Sequence, residues 1–330
     1  MPLRGEAPLV FIFVFAAPAA ADDLRLRHWT AMEPLVQTLS SRVDQMKCVP
    51  ANDLYRPPHP TMCTYGKREH VSKFYLHYKR PHTYESSYVT HFLQALNLLG
   101  PEVGFLDVGS NFGTFGVHMA TRGHPTMMID ANRDNLYLAH NGILRSGVKD
   151  KARVHFLNHA IWADSQHTLR FNFSGDGPHR SMRKVGRAKL VNVGGLAFRT
   201  GDITSLPPSR DWRHSRPAGG LDLVPTLSLD DVAELLPFKR LLMKLDVNGG
   251  ELQCVRAARR FFEALDVPMI MYERPFPAEL DLILRTKGYV PYSADGYASS
   301  NYTMGKVVFW YKRSAPATTR GGTGRRSFFG

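Results

Sequence analysis

Three short stretches bring small residues and carboxylates together at spacings that could do chemistry. The first is Phe105-Leu-Asp-Val-Gly-Ser-Asn-Phe-Gly-Thr-Phe-Gly116, in which an apolar run ends at Asp107-Val108-Gly109. Ser110 and Asn111 follow, and then a helix-like segment carries Gly113 and Gly116. A buried strand that breaks into a tight turn and enters a helix points backbone N–H groups at a ligand. Asp107 stands where it could hold a cationic amine, such as the methionine end of S-adenosylmethionine. The dinucleotide pattern G-x-G-x-x-G fails here, because Asn111 takes the second glycine position and its side chain obstructs a pyrophosphate. A strand–turn–helix without any ligand is the structural alternative.

The second stretch ends at Asp130, about 20 residues beyond the loop, the spacing that sets a carboxylate beside a ribose. Its oxygens are expected to accept both ribose hydroxyls. Asn158 and Ala160 close the next strand and would flank an adenine. The third stretch is Leu242-Met-Lys-Leu-Asp-Val-Asn-Gly-Gly-Glu251. Here Asp246 ends a strand, Gly249 and Gly250 turn the chain, and Glu251 opens a helix. Glu273 ends a further strand. Asp246, Glu273 and Glu251 are the candidates for taking a proton from an acceptor hydroxyl. Each has a plainer alternative as support for the cofactor or the helix start, where the macrodipole favours an acid. His155 and His159 are four apart but fall on a strand and a turn, so no metal is expected.

The elements that must position these groups alternate along the chain. A helix over 84–99 shows Tyr88, Phe92, Leu96 and Leu99 on one face. Strands are expected at 103–108, 126–129, 154–157, 241–246, 267–272, 289–292 and 306–311. Helices are expected at 112–122, 135–146, 250–265 and 278–287, the last stopped by Gly288. Continuous apolar strands alternating with amphipathic helices predict a mainly parallel sheet covered on both faces. Residues 164–222 break the rhythm as a basic insertion rich in Gly, Pro, Ser and Arg, with a strand at 169–173.

With 330 residues and 43% hydrophobic content, the chain can bury one large core and is not a disordered polymer. Its net charge of +13 calls for an anionic partner. Residues 1–21 have the layout of a signal peptide: Arg4, an uncharged run from Pro8, and Ala19-Ala20-Ala21 before Asp22. An uncleaved membrane anchor is the alternative. Residues 22–81 read as an N-terminal extension packed on the main domain, and 314–330 as a flexible tail. Cys48 and Cys63 make a plausible disulfide in an oxidising compartment, with Cys254 left as a buried thiol. Sequons at Asn172 and Asn301 suit the same route. The expected location is the ER or Golgi lumen or the exterior. That route argues against a nucleic-acid partner, and the basic segment lacks the aromatic interleaving of single-strand binders.

Taken in order, these blocks resemble the FkbM family of S-adenosylmethionine-dependent methyltransferases over roughly residues 82–312. Tyr84-Glu85 and the following helix look like the segment before the family's first strand. Asp107-Val-Gly-Ser-Asn-Phe-Gly113 is similar to its D-V-G-A-N-x-G loop. Asn158-His-Ala160 and Leu227-Ser-Leu-Asp230-Asp231 look like later blocks. Lys244-Leu-Asp246-Val-Asn-Gly249-Gly-Glu251 resembles K-x-D-x-E-G-x-E, and Ile270-Met-Tyr-Glu273 its fifth strand. Two departures stand out: Asp130-Ala131 replaces the usual Glu-Pro, and Asn248 replaces the usual Glu. The resemblance implies a Rossmann-like class I methyltransferase domain over residues 82–313 with a seven-stranded, mainly parallel sheet. It further implies S-adenosylmethionine as cofactor, held by Glu85, Asp107, Gly109, Ser110, Asn111, Gly113, Asp130, Asn158 and Ala160. The implied reaction is O-methylation of a glycan or small-molecule hydroxyl, and the basic insertion suits an acidic acceptor. A non-catalytic module of the same fold that binds an anionic glycan or protein is the competing expectation.

Overall fold

The computed structural model describes residues 46–51, 58–65, 70–76, 83–165, 168–172, 203–204, 221–247, 249–273, 278–293 and 307–313. Residues 1–21, Asn248, Asn301, the tail and most of the basic insertion lie outside them. The chain begins with a hairpin, β1 (Lys47–Pro50) and β2 (Thr61–Thr64), and a short helix α1 (His70–Leu76). Then come α2 (Ser86–Leu99), β3 (Gly104–Val108), α3 (Thr114–Thr121), β4 (Thr126–Ile129), α4 (Arg133–Arg145) and β5 (Val154–Leu157). β6 (Ala160–Trp162), β7 (Thr168–Asn172), β8 (Ile203–Thr204) and β9 (Leu221–Ser228) follow. The last part holds α5 (Leu229–Leu235), β10 (Arg240–Leu245), α6 (Glu251–Ala257), α7 (Arg259–Ala264), β11 (Asp266–Glu273), α8 (Ala278–Thr286), β12 (Tyr289–Ser293) and β13 (Val307–Lys312).

The main sheet runs β12-β13-β11-β10-β3-β4-β5. Six strands run in one direction, and β13 lies antiparallel between β11 and β12. This is the expected Rossmann-like class I α/β fold. Its strands are short and apolar because both faces are buried. Leu106, Val108, Met243 and Leu245 pack on one side in a core that includes residues of α5, α6, α7 and α8. Phe105, Leu242 and Met271 pack on the other against Phe92 and Phe115 of α2 and α3. Met128 meets α4 in a third cluster that includes Met62, Val71 and Tyr75 from the N-terminal segment.

Two expectations needed correction. The helix expected over 250–265 is two helices, broken at Ala258 with φ −83° and ψ 55°. The break lets the second start under a carboxylate of another helix: Phe261 N–H donates to Asp230 Oδ1 at 2.7 Å, and Arg260 pairs with Glu234 at 2.7 Å. Asp230 sits in the first turn of α5, itself capped by Ser228, whose hydroxyl accepts from Asp231 N–H at 3.1 Å. Residues 164–222 are also more than an interruption. β7 and β9 pair antiparallel, β9 pairs parallel with β6, and β8 adds to the far edge of β7, giving a separate four-stranded sheet.

In the hairpin, Cys48 and Cys63 face each other across the strands and are joined by a disulfide. Cys254 is a free, buried thiol. Among the described residues no helix is long and apolar enough to cross a membrane.

Candidate functional site

Strand order moves from β3 outward through β4 to β5, then jumps back to β10 on the other side of β3. The sheet therefore has its switch point between β3 and β10, and a crevice beyond the carboxyl ends of such strands is where ligands bind in this fold class. The loop after β3 and the loop after β10 meet there.

Gly109 is required by that meeting. Its φ is 72°, and a Cβ on it would lie 1.7 Å from the Asp246 carbonyl oxygen. Asp246 N–H donates to Val108 O at 3.0 Å, while Gly109 and Ser110 N–H both donate to Ile129 O. The turn continues through Asn111, a non-glycine at φ 52°, and Gly113 at φ 85°. Asn111 tolerates the left-handed region because its Oδ1 accepts from the next N–H, Phe112, at 2.8 Å. Gly113 is then the residue from which α3 departs.

Asp107 lies beneath the turn. It is fully buried, and its Oδ2 accepts from Gly116 N–H at 2.8 Å. Its Oδ1 looks toward the Lys244 ammonium at 3.7 Å. Burial pushes this carboxyl above the ordinary range, and Lys244 pulls it back. Asp107 thus fixes the start of α3 and faces the buried lysine, and its Oδ1 is a buried oxygen with no hydrogen-bond partner among the described residues.

Asp130 ties the two turns together. Oδ2 accepts from Asn111 N–H at 2.7 Å, and Oδ1 accepts from Asn132 N–H at 2.7 Å and Asn135 Nδ2 at 3.0 Å. Burial pushes its carboxyl up to about 7, against the opposing pull of these donors. A carboxylate offers roughly four acceptor positions. Oδ1 has filled its share and Oδ2 has one position left. Asn158 Nδ2 donates to the carbonyls of Asp130 and Ala131 at 2.9 Å each, which shapes the turn after β4. Ala160 is buried and begins β6 instead of closing the third strand. Glu85, at φ 56°, precedes α2, and its carbonyl accepts from Tyr88 and Val89 N–H. Its neighbour Tyr84 donates from N–H to the Tyr75 hydroxyl at 3.3 Å, and that hydroxyl reaches Thr114 at 3.4 Å. The segment around Glu85 therefore lies against the first turn of α3.

On the β10 side the three acids separate. Glu251 is buried and closes the loop before its own helix: Oε1 accepts from Val247 N–H at 2.8 Å and Oε2 from Gly249 N–H at 3.0 Å. Burial pushes it up to about 7. With both oxygens accepting from the loop it braces the turn, the plainer of the two roles expected of it. Glu273 ends β11, and its side chain lies outside the described residues. Of the three, Asp246 keeps 27% of its side chain exposed, with Oδ2 3.3 Å from Lys244.

Lys244 is the buried charge at the switch point to which sequence reasoning assigned no role. Its side chain is 4% exposed and its Nζ donates to Gly109 O at 2.6 Å, between Asp107 and Asp246 and over the Phe115 ring. Lys244 and Asp107 are register partners across β10 and β3. The signal was a lysine inside an otherwise apolar strand: such a lysine is buried only with a carboxylate partner. Among the described residues no three His, Cys, Asp or Glu side chains gather as a metal site.

No family model matches the chain. No curated protein matches it either. Among solved structures it is similar to the Pyrococcus abyssi tRNA (uracil-54, C5)-methyltransferase in complex with S-adenosyl-L-homocysteine, at 12% identity and a TM-score of 0.33, over 81% of this chain and 43% of that one. The chain thus spans less than half the length of that enzyme. It is also similar to the precorrin-6y C5,15-methyltransferase of Geobacter metallireducens GS-15, at 11% identity and a TM-score of 0.34, over 72% of this chain and 90% of that one. A third likeness is to an S-adenosylmethionine-dependent methyltransferase of Agrobacterium tumefaciens, at 8% identity and a TM-score of 0.38, over 80% of this chain and 70% of that one.

Proposed function

We propose that this chain is an S-adenosylmethionine-dependent methyltransferase that methylates a hydroxyl of an acidic glycan or small molecule in the secretory pathway. The observation that carries the reading is the left-handed turn Gly109–Gly113 at the switch point, hydrogen-bonded to a carboxylate at the end of the next parallel strand. That arrangement fits a nucleoside: Asp130 Oδ2 keeps one acceptor position for a ribose hydroxyl. S-adenosylmethionine, when bound, supplies a methyl group on a sulfonium sulfur that leaves as a neutral thioether. The protein's own part is positioning and proton removal. Asp246 is the carboxylate that accepts the acceptor's proton, and Lys244, on its Oδ2, orients it.

The location is supported by the Cys48–Cys63 disulfide, which suits an oxidising compartment, and by the signal-like residues 1–21. The charge of +13 supports an acidic acceptor. A non-catalytic binding module is favoured by one observation: Asp107 and Glu251 both turn their oxygens inward. Asp246 decides between the two. The test is calorimetric titration of the purified chain with S-adenosylmethionine, then methyl transfer to uronic-acid and sulfated oligosaccharides. We expect micromolar binding, kept in Asp246→Asn, with transfer lowered about 10²- to 10⁴-fold. A folded chain that does not bind the cofactor overturns the enzyme reading.

A further inference from the structure

We propose that Tyr65, on the disulfide-bonded hairpin outside the main sheet, is a positioning residue for Asp130, so that the hairpin is a working part of the nucleoside site. The proposal rests on the reading of Asp130 given above. The Tyr65 hydroxyl donates to Asn135 Oδ1 at 2.6 Å and accepts from Asn132 Nδ2 at 3.3 Å. These are the two residues that hold Asp130 Oδ1, through Asn135 Nδ2 at 3.0 Å and Asn132 N–H at 2.7 Å. A primary amide has two unlike ends. A donor on the Asn135 oxygen keeps its NH₂ turned to Asp130, whereas the flipped amide would set oxygen against carboxylate. The hydroxyl therefore selects the orientation of the Asn135 amide, the one side chain that passes its effect on to Asp130, while the Asn132 amide is already set by accepting from Asp134 N–H at 3.0 Å; chained hydrogen bonds of this kind reinforce each other.

The hairpin is built to hold that hydroxyl still. The Cys48–Cys63 disulfide lies two residues before Tyr65. Thr61 N–H donates to Ser146 Oγ at 2.8 Å, at the far end of α4. Between these points Gly142 lets the hairpin backbone in, since a Cβ there would come to 3.0 Å from the Thr61 carbonyl oxygen. The hairpin thus grips α4 at its C-terminus through Ser146 and at its N-terminus through Asn132 and Asn135. A splint along the helix that carries half the ligand-holding network has a use that packing alone does not require.

The test uses the full chain with its disulfide intact. Tyr65→Phe keeps the ring and removes the hydroxyl. S-adenosylmethionine and S-adenosylhomocysteine are titrated into wild type, Tyr65→Phe, Asn135→Ala and the double variant. Hydrogen exchange at the Asn111 and Asn132 amides is followed without ligand. We expect Tyr65→Phe to weaken both ligands about fivefold, the worth of one neutral hydrogen bond, and to speed exchange at both amides. In the Asn135→Ala background, Tyr65→Phe should weaken binding no further, a non-additivity that general loosening does not produce. Unchanged exchange and unchanged affinity in Tyr65→Phe, or additive losses in the double variant, overturn the proposal. If wild type binds neither ligand, the methyl-donor reading fails, and the exchange experiment still judges Tyr65: faster exchange supports it and unchanged exchange overturns it.

Discussion

Asp130 and Asp246 end strands on opposite sides of the switch point, and the protein uses them in opposite ways. Asp130 commits its oxygens to Asn111, Asn132 and Asn135 and thereby fixes two turns. Asp246 meets one partner, Lys244, and keeps part of its side chain in solvent. The first arrangement suits a rigid rest for a ligand that must be held in one pose. The second suits a group that has to exchange a proton with whatever enters. The difference also warns against counting acids at a sheet edge, because Asp107 and Glu251 belong with Asp130 and not with Asp246.

The comparison breaks most violently at Gly109, where the two sides touch. Gly109→Ala should cost about 4 kcal/mol or more, seen as loss of folded protein or a fall in Tm of roughly 10 °C. A variant that melts like wild type would show that the two loops are not in contact as described. Next in size is Lys244→Met, which leaves Asp107 buried without its cation and should cost about 3 kcal/mol. Adding Asp107→Asn should recover part of that loss, and a double variant no more stable than the single would remove the pair from the account.

A smaller effect comes from pH. Asp130 and Glu251 both have carboxyls raised to about 7 by burial, so the folded state holds protons that the unfolded state has released. Their contribution is complete below the ordinary carboxylate range and is lost as pH rises through about 7. Melting profiles should show Tm falling between about pH 5 and about pH 8. Asp130→Asn and Glu251→Gln should each flatten the slope, and parallel profiles in all three proteins would refute the assignment. Smallest on stability is Asp246→Asn, under about 1 kcal/mol because its ion pair is partly exposed. A drop as large as that of Lys244→Met would move Asp246 to the structural side.

Much of this was legible in the chain itself. The strands at 126–129 and 154–157 and the turn from Gly109 to Gly113 follow from apolar runs that end in small residues. Asp130 and Asp246 follow from strands that end in acids. What the sequence hid was direction. Nothing in the letters separates the inward carboxylate of Glu251 from the outward one of Asp246, because the choice depends on which N–H groups the intervening turn leaves unpaired. The break at Ala258 was hidden for a similar reason: the cap for α7 is Asp230, some 30 residues earlier and on another helix. The link from Tyr65 to Asn135 is tertiary and leaves no periodic trace.

The pairing of β7 with β9 brings Asn172 and Leu221 side by side. The chain therefore leaves and returns at a single clamp. Between those two residues the chain gives one more strand, β8, back to the far edge of β7, so the excursion is pinned at its base and at one point along its length. Between two such fixed points the chain length itself is only weakly constrained, since each doubling of a loop costs about 0.6 kcal/mol in closure entropy. Residues can therefore be added or removed there while the ladders that join β6, β9, β7 and β8 stay as they are.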